Sequence, residues 1–246
     1  MPEEVRPLLQ RLQGWEKRRM GRFTAYSFQL AGQDCRLVQS GIGLQRAGEA
    51  TRTLLAAWHP DRLVSFGVAG AVHDDLKIGD VVSISSAALL NQGVAGPPVR
   101  LAALSGAAWQ AAAEALQPVG AQIVMGTAFT TPGSQSVAVE PPGIENPVLE
   151  METSAIAQVA AEHAIPLLAL RGISDNPRYP LPIDPATVMD ENYRLQPGKL
   201  ILALIRHPEI ILKARRMRRN TAMAAENAAM AVIATLSYCI PDKKSL

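Results

Sequence analysis

Five apolar runs constrain what this chain can fold into. They are RLVSFGVAGAV (62–72), LKIGDVVSISSAALL (76–90), AQIVMGTAFTT (121–131), PVLEMET (147–153) and IPLLALRGISD (165–175). Each has strand length and few polar residues, the mark of strands buried on both faces. Helical patterns alternate with them. LQRAGEATRTLLAAW (44–58) is amphipathic and closes at HPD; SAIAQVAAEHA (154–164) follows the fourth run. Apolar strands alternating with helices specify an α/β fold around a buried, mostly parallel sheet. FTAYSFQL and DCRLVQS, on either side of the turn AGQ, read as a further pair of strands. From Pro197 to Tyr238 the pattern is mostly helical, with a break at Pro208.

In such sheets ligands bind beyond the carboxyl ends of the strands. The segments at those ends are Gly41–Gly43, Val68–Gly70, Ala128–Thr130, Glu150–Glu152 and Arg171–Asp175. They are rich in glycine and polar groups, and the topology brings them to one edge. SGIGLQRAG fails the G-x-G-x-x-G spacing after Gly43, so it is a tight turn or a close approach to a small ligand rather than a dinucleotide loop. Amides in FGVAGAV can bind an anion, but Val68 offers no hydroxyl, which counts against phosphate.

Two carboxylates, Glu150 and Glu152, flank a methionine at a strand-to-helix junction. If the strand continues through them they share a face. Glu150 reads as a helix-start carboxylate favoured by the macrodipole, with Thr153 and Ser154 as N-caps. Glu152, deeper at the junction, reads as functional. Asp175 is open to two readings. It starts an Asx turn before Pro177, or it faces a mostly apolar pocket where desolvation favours its neutral, proton-donating form. The four histidines form no HExxH, and there is no Gly-x-Ser-x-Gly elbow or catalytic-cysteine signature.

Composition excludes several classes. The net charge of +2 is too small for nucleic acid, and aromatics at 4% provide no platform for stacked bases. Cys35 and Cys239 lie far apart, giving neither a disulfide scaffold nor a zinc spacing, so a reduced, cytoplasmic compartment is expected. The start is charged and lacks the apolar segment of a signal peptide, and AAMAVIATLSYCI is too short to span a bilayer. HPEIILKARRMRRN carries Lys213, Arg215, Arg216, Arg218 and Arg219. It reads as a solvated helix face whose stems cover apolar surface, with contact to an anionic membrane surface as the alternative.

The blocks MPEEV, SGIG, HPDRLVSFGVAGAVHDDLKIGDVV, GTAFT, LEMETSAIAQVA and IPLLALRGISD occur in this order between Met1 and Asp175. Together they resemble the purine nucleoside phosphorylase/uridine phosphorylase superfamily, in particular its 5'-methylthioadenosine/S-adenosylhomocysteine nucleosidase branch. Glu-Met-Glu-x-x-Ala-Ile-Ala and Arg-x-Ile-Ser-Asp are specific as a pair. The resemblance implies one α/β domain over residues 1–246, with a central mixed sheet flanked by helices on both faces and a divergent helical tail over about 197–240. It implies that Glu152 accepts hydrogen bonds from ribose hydroxyls and that Met151 packs on the sugar. Asp175 would protonate purine N7, supported by Ser174. Phe129 would stack on the base and the Thr130 backbone would read its edge. Glu4 would orient the attacking water. Ile42, Val68, Ala69 and Gly70 would line the ribose pocket, and Arg171 would lie beneath the site against a carboxylate.

Three departures accompany the resemblance. The family has an apolar strand ahead of the Met-Pro-Glu-Glu-Val equivalent. Here either the start is set too late or that strand is lacking and Glu4 is poorly anchored. Val68 replaces a common Ser or Thr. The stretch from Leu181 to Arg219 is closer in style to hopanoid-associated phosphorylases. The expected activity is cleavage of the N-glycosidic bond of an adenosine-type nucleoside by water. Its rivals are the same cleavage by phosphate, with adenosylhopane as a candidate substrate, and a non-catalytic nucleoside-binding protein. No metal or organic cofactor is implied, the partner is a small-molecule nucleoside, and the family implies a homo-oligomer.

Overall fold

The structure, a computed structural model, describes residues 2–131, 144–180 and 209–238, with side chains from 214 onward in the last stretch. In chain order the elements begin with helix α1 (Pro2–Arg11) and strands β1 (Glu16–Met20), β2 (Phe23–Leu30) and β3 (Gln33–Gln39). Helix α2 (Leu44–Ala57) leads to β4 (Leu63–Ala71), β5 (Val81–Asn91) and the short β6 (Val94–Ala95) and β7 (Val99–Arg100). Then come α3 (Gly106–Leu116), β8 (Ile123–Thr130), β9 (Val148–Glu150), α4 (Thr153–Glu162), β10 (Leu167–Asp175) and α5 (Glu209–Tyr238).

All five apolar runs are strands, and both expected helices form. Within the expected helical tail, α5 occupies Glu209–Tyr238; residues 197–208 and 239–240 lie outside the described residues. Besides the two-residue strands β6 and β7, three elements were not expected. α1 opens with Glu3 and Glu4 and closes on Arg11, charges that complement the helix dipole. β1 is the charged, exposed edge EKRRM, with no apolar alternation to reveal it. α3 is GAAWQAAAEAL, started by Ser105, whose Oγ accepts from Ala108 N at 3.3 Å.

β1, β2 and β3 form a separate antiparallel meander. The main sheet is mixed rather than mostly parallel. β10/β4, β5/β8 and β8/β9 are parallel, whereas β4/β9 and β10/β5 are antiparallel. Because β10 pairs with both β4 and β5, the path β10–β4–β9–β8–β5 closes on itself as a small barrel. Apolar composition shows that these strands are buried but not which way they run. Register shifts in β5 at Ile84/Ser86 and in β10 at Ile173/Asp175 mark where the strands bend. Small residues alternate with larger ones in one cluster of this sheet, which includes Ala69, Ala128 and Ala169 with Ile84, Val148 and Ile173.

Helices cover both faces. α5 packs on β10, β4, α1 and α3, and its side of the core includes Leu8, Leu116, Leu170 and Val232. α2 and α4 pack on each other, with Leu55, Val159 and Leu167 beneath them. No helix among the described residues is long and apolar enough to cross a membrane. Consecutive residues of β3 (33–39) and β4 (63–67) line a cavity of about 760 Å³. Consecutive rather than alternate lining means that strand edges, not one sheet face, border this space. Glu4, Glu152 and Arg171 stand in its wall.

The α5–β10 contact depends on small residues on both sides. Ala224, Ala225, Ala228 and Ala229 of α5 are buried, and a Cβ at Gly172 would overlap the Ala224 carbonyl. Asn227 adds a bond from Nδ2 to the Gly79 carbonyl at 2.7 Å. Gly172→Ala is therefore expected to destabilise the fold by about 1–3 kcal/mol in urea denaturation. Gly106→Ala, whose added Cβ meets nothing within 4 Å, is the control and is expected to cost nothing measurable.

Candidate active site

Ile173, Ser174 and Asp175 end β10 beside the end of β4. The Ser174 hydroxyl lies 2.6 Å from Asp175 Oδ1 and 3.3 Å from the Ala69 carbonyl. Asp175 presses against Gly70, where a Cβ would stand 2.5 Å from Oδ2. Any other residue there would displace the acid. Burial pushes the Asp175 carboxyl up from its ordinary pKa, and the Ser174 hydroxyl only partly opposes this. A small pocket adjoins it, lined by Ser174, Tyr179, Arg216, Met217 and Asn220. Arg216 lies over the Tyr179 ring at 5.0 Å, so this part of the basic run packs against the site rather than facing only solvent.

Glu4 reaches β4 from α1. Its Oε1 accepts from Val68 N at 3.0 Å, and a Cβ at Gly67 would stand 2.6 Å from it. Of the two alternatives raised for this end of the chain, a poorly anchored Glu4 does not hold: the carboxylate is hydrogen-bonded to the glycine-rich strand. Glu152 reaches the other glycine turn, and its Oε1 accepts from Gly43 N at 2.9 Å. Gly43 has φ +96°, a conformation suited to glycine, which lets the turn enter α2 at this point.

Glu150 and Glu152 do not share a strand face. β9 stops at Glu150, the chain bends through Met151, and Glu152 itself is the N-cap of α4. Thr153 and Ser154 are thus inside the helix rather than caps. Glu150 is fully buried. Its Oε2 accepts from Glu152 N at 3.0 Å, Thr153 N at 2.8 Å and Thr153 Oγ1 at 2.7 Å, and Oε1 accepts from the Thr130 hydroxyl. Arg171 Nη2 donates to Glu150 Oε2 at 3.1 Å, Thr153 Oγ1 at 2.7 Å and Ser65 Oγ at 2.9 Å. Burial alone would raise the Glu150 pKa, but the Arg171 charge and the hydroxyl bonds overcome it and hold Glu150 below the usual range. Glu152 moves the other way. Burial, then the charge of Glu150, push it up to about 7, against the opposing Arg171 charge and the Gly43 amide.

The structure thus gathers Glu4, Val68, Glu152 and Arg171 in one group and Ala69, Gly70, Ser174 and Asp175 in another, both along β4. Ile42 and Met151 flank Gly43 and Glu152 in the chain and are partly buried. Phe129 and Thr130 end β8. Phe129 is 1% exposed and packs in a cluster with Ala88 and Leu90. The Thr130 side chain is completely buried, donating to Glu150 and accepting from Ser154 N at 2.9 Å. The carboxylate against which Arg171 lies is Glu150, which sequence reasoning left unidentified, and Thr153 and Ser65 were missed as its further partners. The one available signal was a charged residue in the middle of the apolar part of β10.

Removing one partner of a buried pair strands the other's charge. Arg171→Met is expected to lower stability by about 3–5 kcal/mol, and Glu150→Gln/Arg171→Met to recover most of that loss in the same denaturation measurement.

Residues 1–206 match the phosphorylase superfamily, and the chain belongs to that superfamily. The 5'-methylthioadenosine/S-adenosylhomocysteine nucleosidases of Bacillus anthracis and Bacillus cereus (strain AH187) are similar to it. Each is 30% identical over 191 residues, covering 71% of this chain and 82% of the relative. Among solved structures, the Neisseria meningitidis 5'-methylthioadenosine/S-adenosylhomocysteine nucleosidase in complex with methylthio-immucillin-A matches with a TM-score of 0.69. The identity is 21%, covering 96% of this chain and 95% of that one. The futalosine hydrolase of Helicobacter pylori strain 26695 matches with a TM-score of 0.66 at 16% identity, covering 96% and 94%. At these identities the structural matches establish the fold.

Proposed function

We propose that this chain cleaves the N-glycosidic bond of an adenosine-type nucleoside, of the methylthioadenosine/S-adenosylhomocysteine class, with water as the acceptor. The observation that carries the reading is the contrast among three carboxyls. Asp175, against β4, has its neutral form favoured by burial, whereas Glu4 is held by the Val68 amide of β4 and Glu152 by the Gly43 amide at the start of α2. The nucleosidase relatives supply the substrate class.

Breaking the C1'–N9 bond leaves positive charge on the sugar and sends the bonding electrons into the purine. Asp175 donates its proton to N7 as that charge develops, a contribution of about a hundredfold to ten-thousandfold. Glu152 accepts from the ribose hydroxyls and, as an anion, stabilises the cationic sugar. Glu4 orients the water and takes its proton as oxygen bonds to C1'. The products are the free base and the free sugar. Phosphate is the poorer acceptor here, because Val68 has no hydroxyl and its amide is already bonded to Glu4.

Methylthioadenosine and S-adenosylhomocysteine, each with and without phosphate, test this by chromatography of released adenine. Adenine without phosphate is the expected result. Strict dependence on phosphate would replace water by phosphate, and bound nucleoside without turnover would reduce the protein to a binder. The ionisation of Glu152 gives a second test. Below about pH 7 it is protonated and a poor acceptor; above, it is the anion that accepts from the sugar. Methylthioadenosine is therefore expected to bind Asp175→Asn more tightly as pH rises through 7, while adenine, lacking a sugar, shows no such gain. Calorimetry of both ligands checks this, and parallel pH dependences would contradict the role of Glu152.

A further inference from the structure

Glu150 touches neither the cavity nor the small pocket beside Asp175, yet it is the most heavily bonded carboxylate of the described site. Its Oε2 takes the amides of Glu152 and Thr153 directly, and its Oε1 takes the Thr130 hydroxyl, which in turn accepts the Ser154 amide. One side chain thereby organises three successive amides of the turn that carries Glu152. A helix N-terminus needs such acceptors, but a neutral hydroxyl or amide would supply them without the cost of a buried charge. The Arg171 guanidinium offsets that cost and itself rests on Thr153 and Ser65.

Resting on the reading that Glu152 binds the sugar, we propose that Glu150 is a positioning residue for Glu152. It clamps the backbone from which Glu152 projects, and its buried charge governs when Glu152 ionises. The charged groups acting on Glu152 are Glu150 from β9, Arg171 from β10 and Glu4 from α1; the Gly43 amide at the start of α2 adds a hydrogen bond. Two of the three charges are negative, and Arg171 is bonded to Glu150 rather than to Glu152. Like charges two residues apart resist simultaneous ionisation. The ion pair therefore keeps Glu150 as the anion and leaves Glu152 as the carboxyl that exchanges a proton near neutrality. The sugar-side group is thus sensitive to pH and to the arrival of a cationic sugar, which favours its anion at the moment of bond breaking.

Glu150→Gln preserves shape and acceptor while deleting the charge. The direct readout is a ¹³C carboxyl titration of Glu152, assigned by its loss in Glu152→Gln and run without nucleoside. The midpoint is expected to fall from about 7 by at least about one unit, a tenfold loss of proton affinity. On methylthioadenosine, the variant is expected to lose the pH dependence of KM near neutrality while kcat at high pH changes little. An unmoved midpoint would overturn the proposal. If Glu150→Gln does not fold, Glu150→Gln/Arg171→Met replaces it. Glu150 acts on Glu152 more strongly than Arg171 does, so the shift is expected in the same direction and smaller, and no shift would again overturn the proposal. The titration needs no turnover. A moved midpoint without adenine release would contradict the proposed hydrolysis and leave the clamp standing, whereas adenine release with an unmoved midpoint would do the reverse.

Discussion

The buried ion pair between Arg171 and Glu150 is the interaction on which the site depends. It joins β10 to the end of β9, and through Thr153 and Ser65 it reaches the start of α4 and the middle of β4. A guanidinium suits this place because its donors fan out in one plane and keep their charge when buried. The pair alone is weak evidence of stability, since desolvation offsets most of its attraction. Its value lies in fixing where four elements meet and in placing a permanent negative charge behind Glu152.

From that arrangement follows an asymmetry between two carboxyls in one protein. Glu152 is raised by burial and by a neighbouring anion, with an arginine near enough to oppose them. Asp175 is raised by burial, opposed by a serine hydroxyl, and no charged group is among the causes of its shift. In the proposed hydrolysis, one would work as an anion beside a developing cation and the other as a proton donor beside a developing anion. β4 makes this possible by carrying glycine at 67 and 70, so that Glu4 and Asp175 can lie against the strand itself.

Much of this was legible in the sequence. The apolar runs located all five barrel strands, because burial on both faces leaves a direct compositional mark. Glu-Met-Glu and Arg-x-Ile-Ser-Asp pointed to the candidate site, because charged residues at the ends of such runs need a purpose. Strand direction was not legible: β5 runs against β10 only because the sheet closes, a long-range fact that local composition does not record. Nor was the geometry that separates Glu150 from Glu152, which were expected to share a strand face. It turns on where β9 stops, and a bend at Met151 sends one carboxylate inward and the other toward Gly43. The packing of Phe129 was not legible for a related reason, since an aromatic at a strand end serves a pocket or a core equally well; here it packs with Ala88 and Leu90.

Proton donation by Asp175 to the leaving base is the central claim, and two leaving groups test it most directly. Asp175→Asn should be compared with the native chain on methylthioadenosine, whose base needs a proton, and on 4-nitrophenyl riboside, whose phenolate departs without one. The account requires a loss of about a hundredfold to ten-thousandfold in kcat on the first and little or none on the second. Equal losses on both would show that Asp175 supports the site in some other way and would contradict its role as the acid.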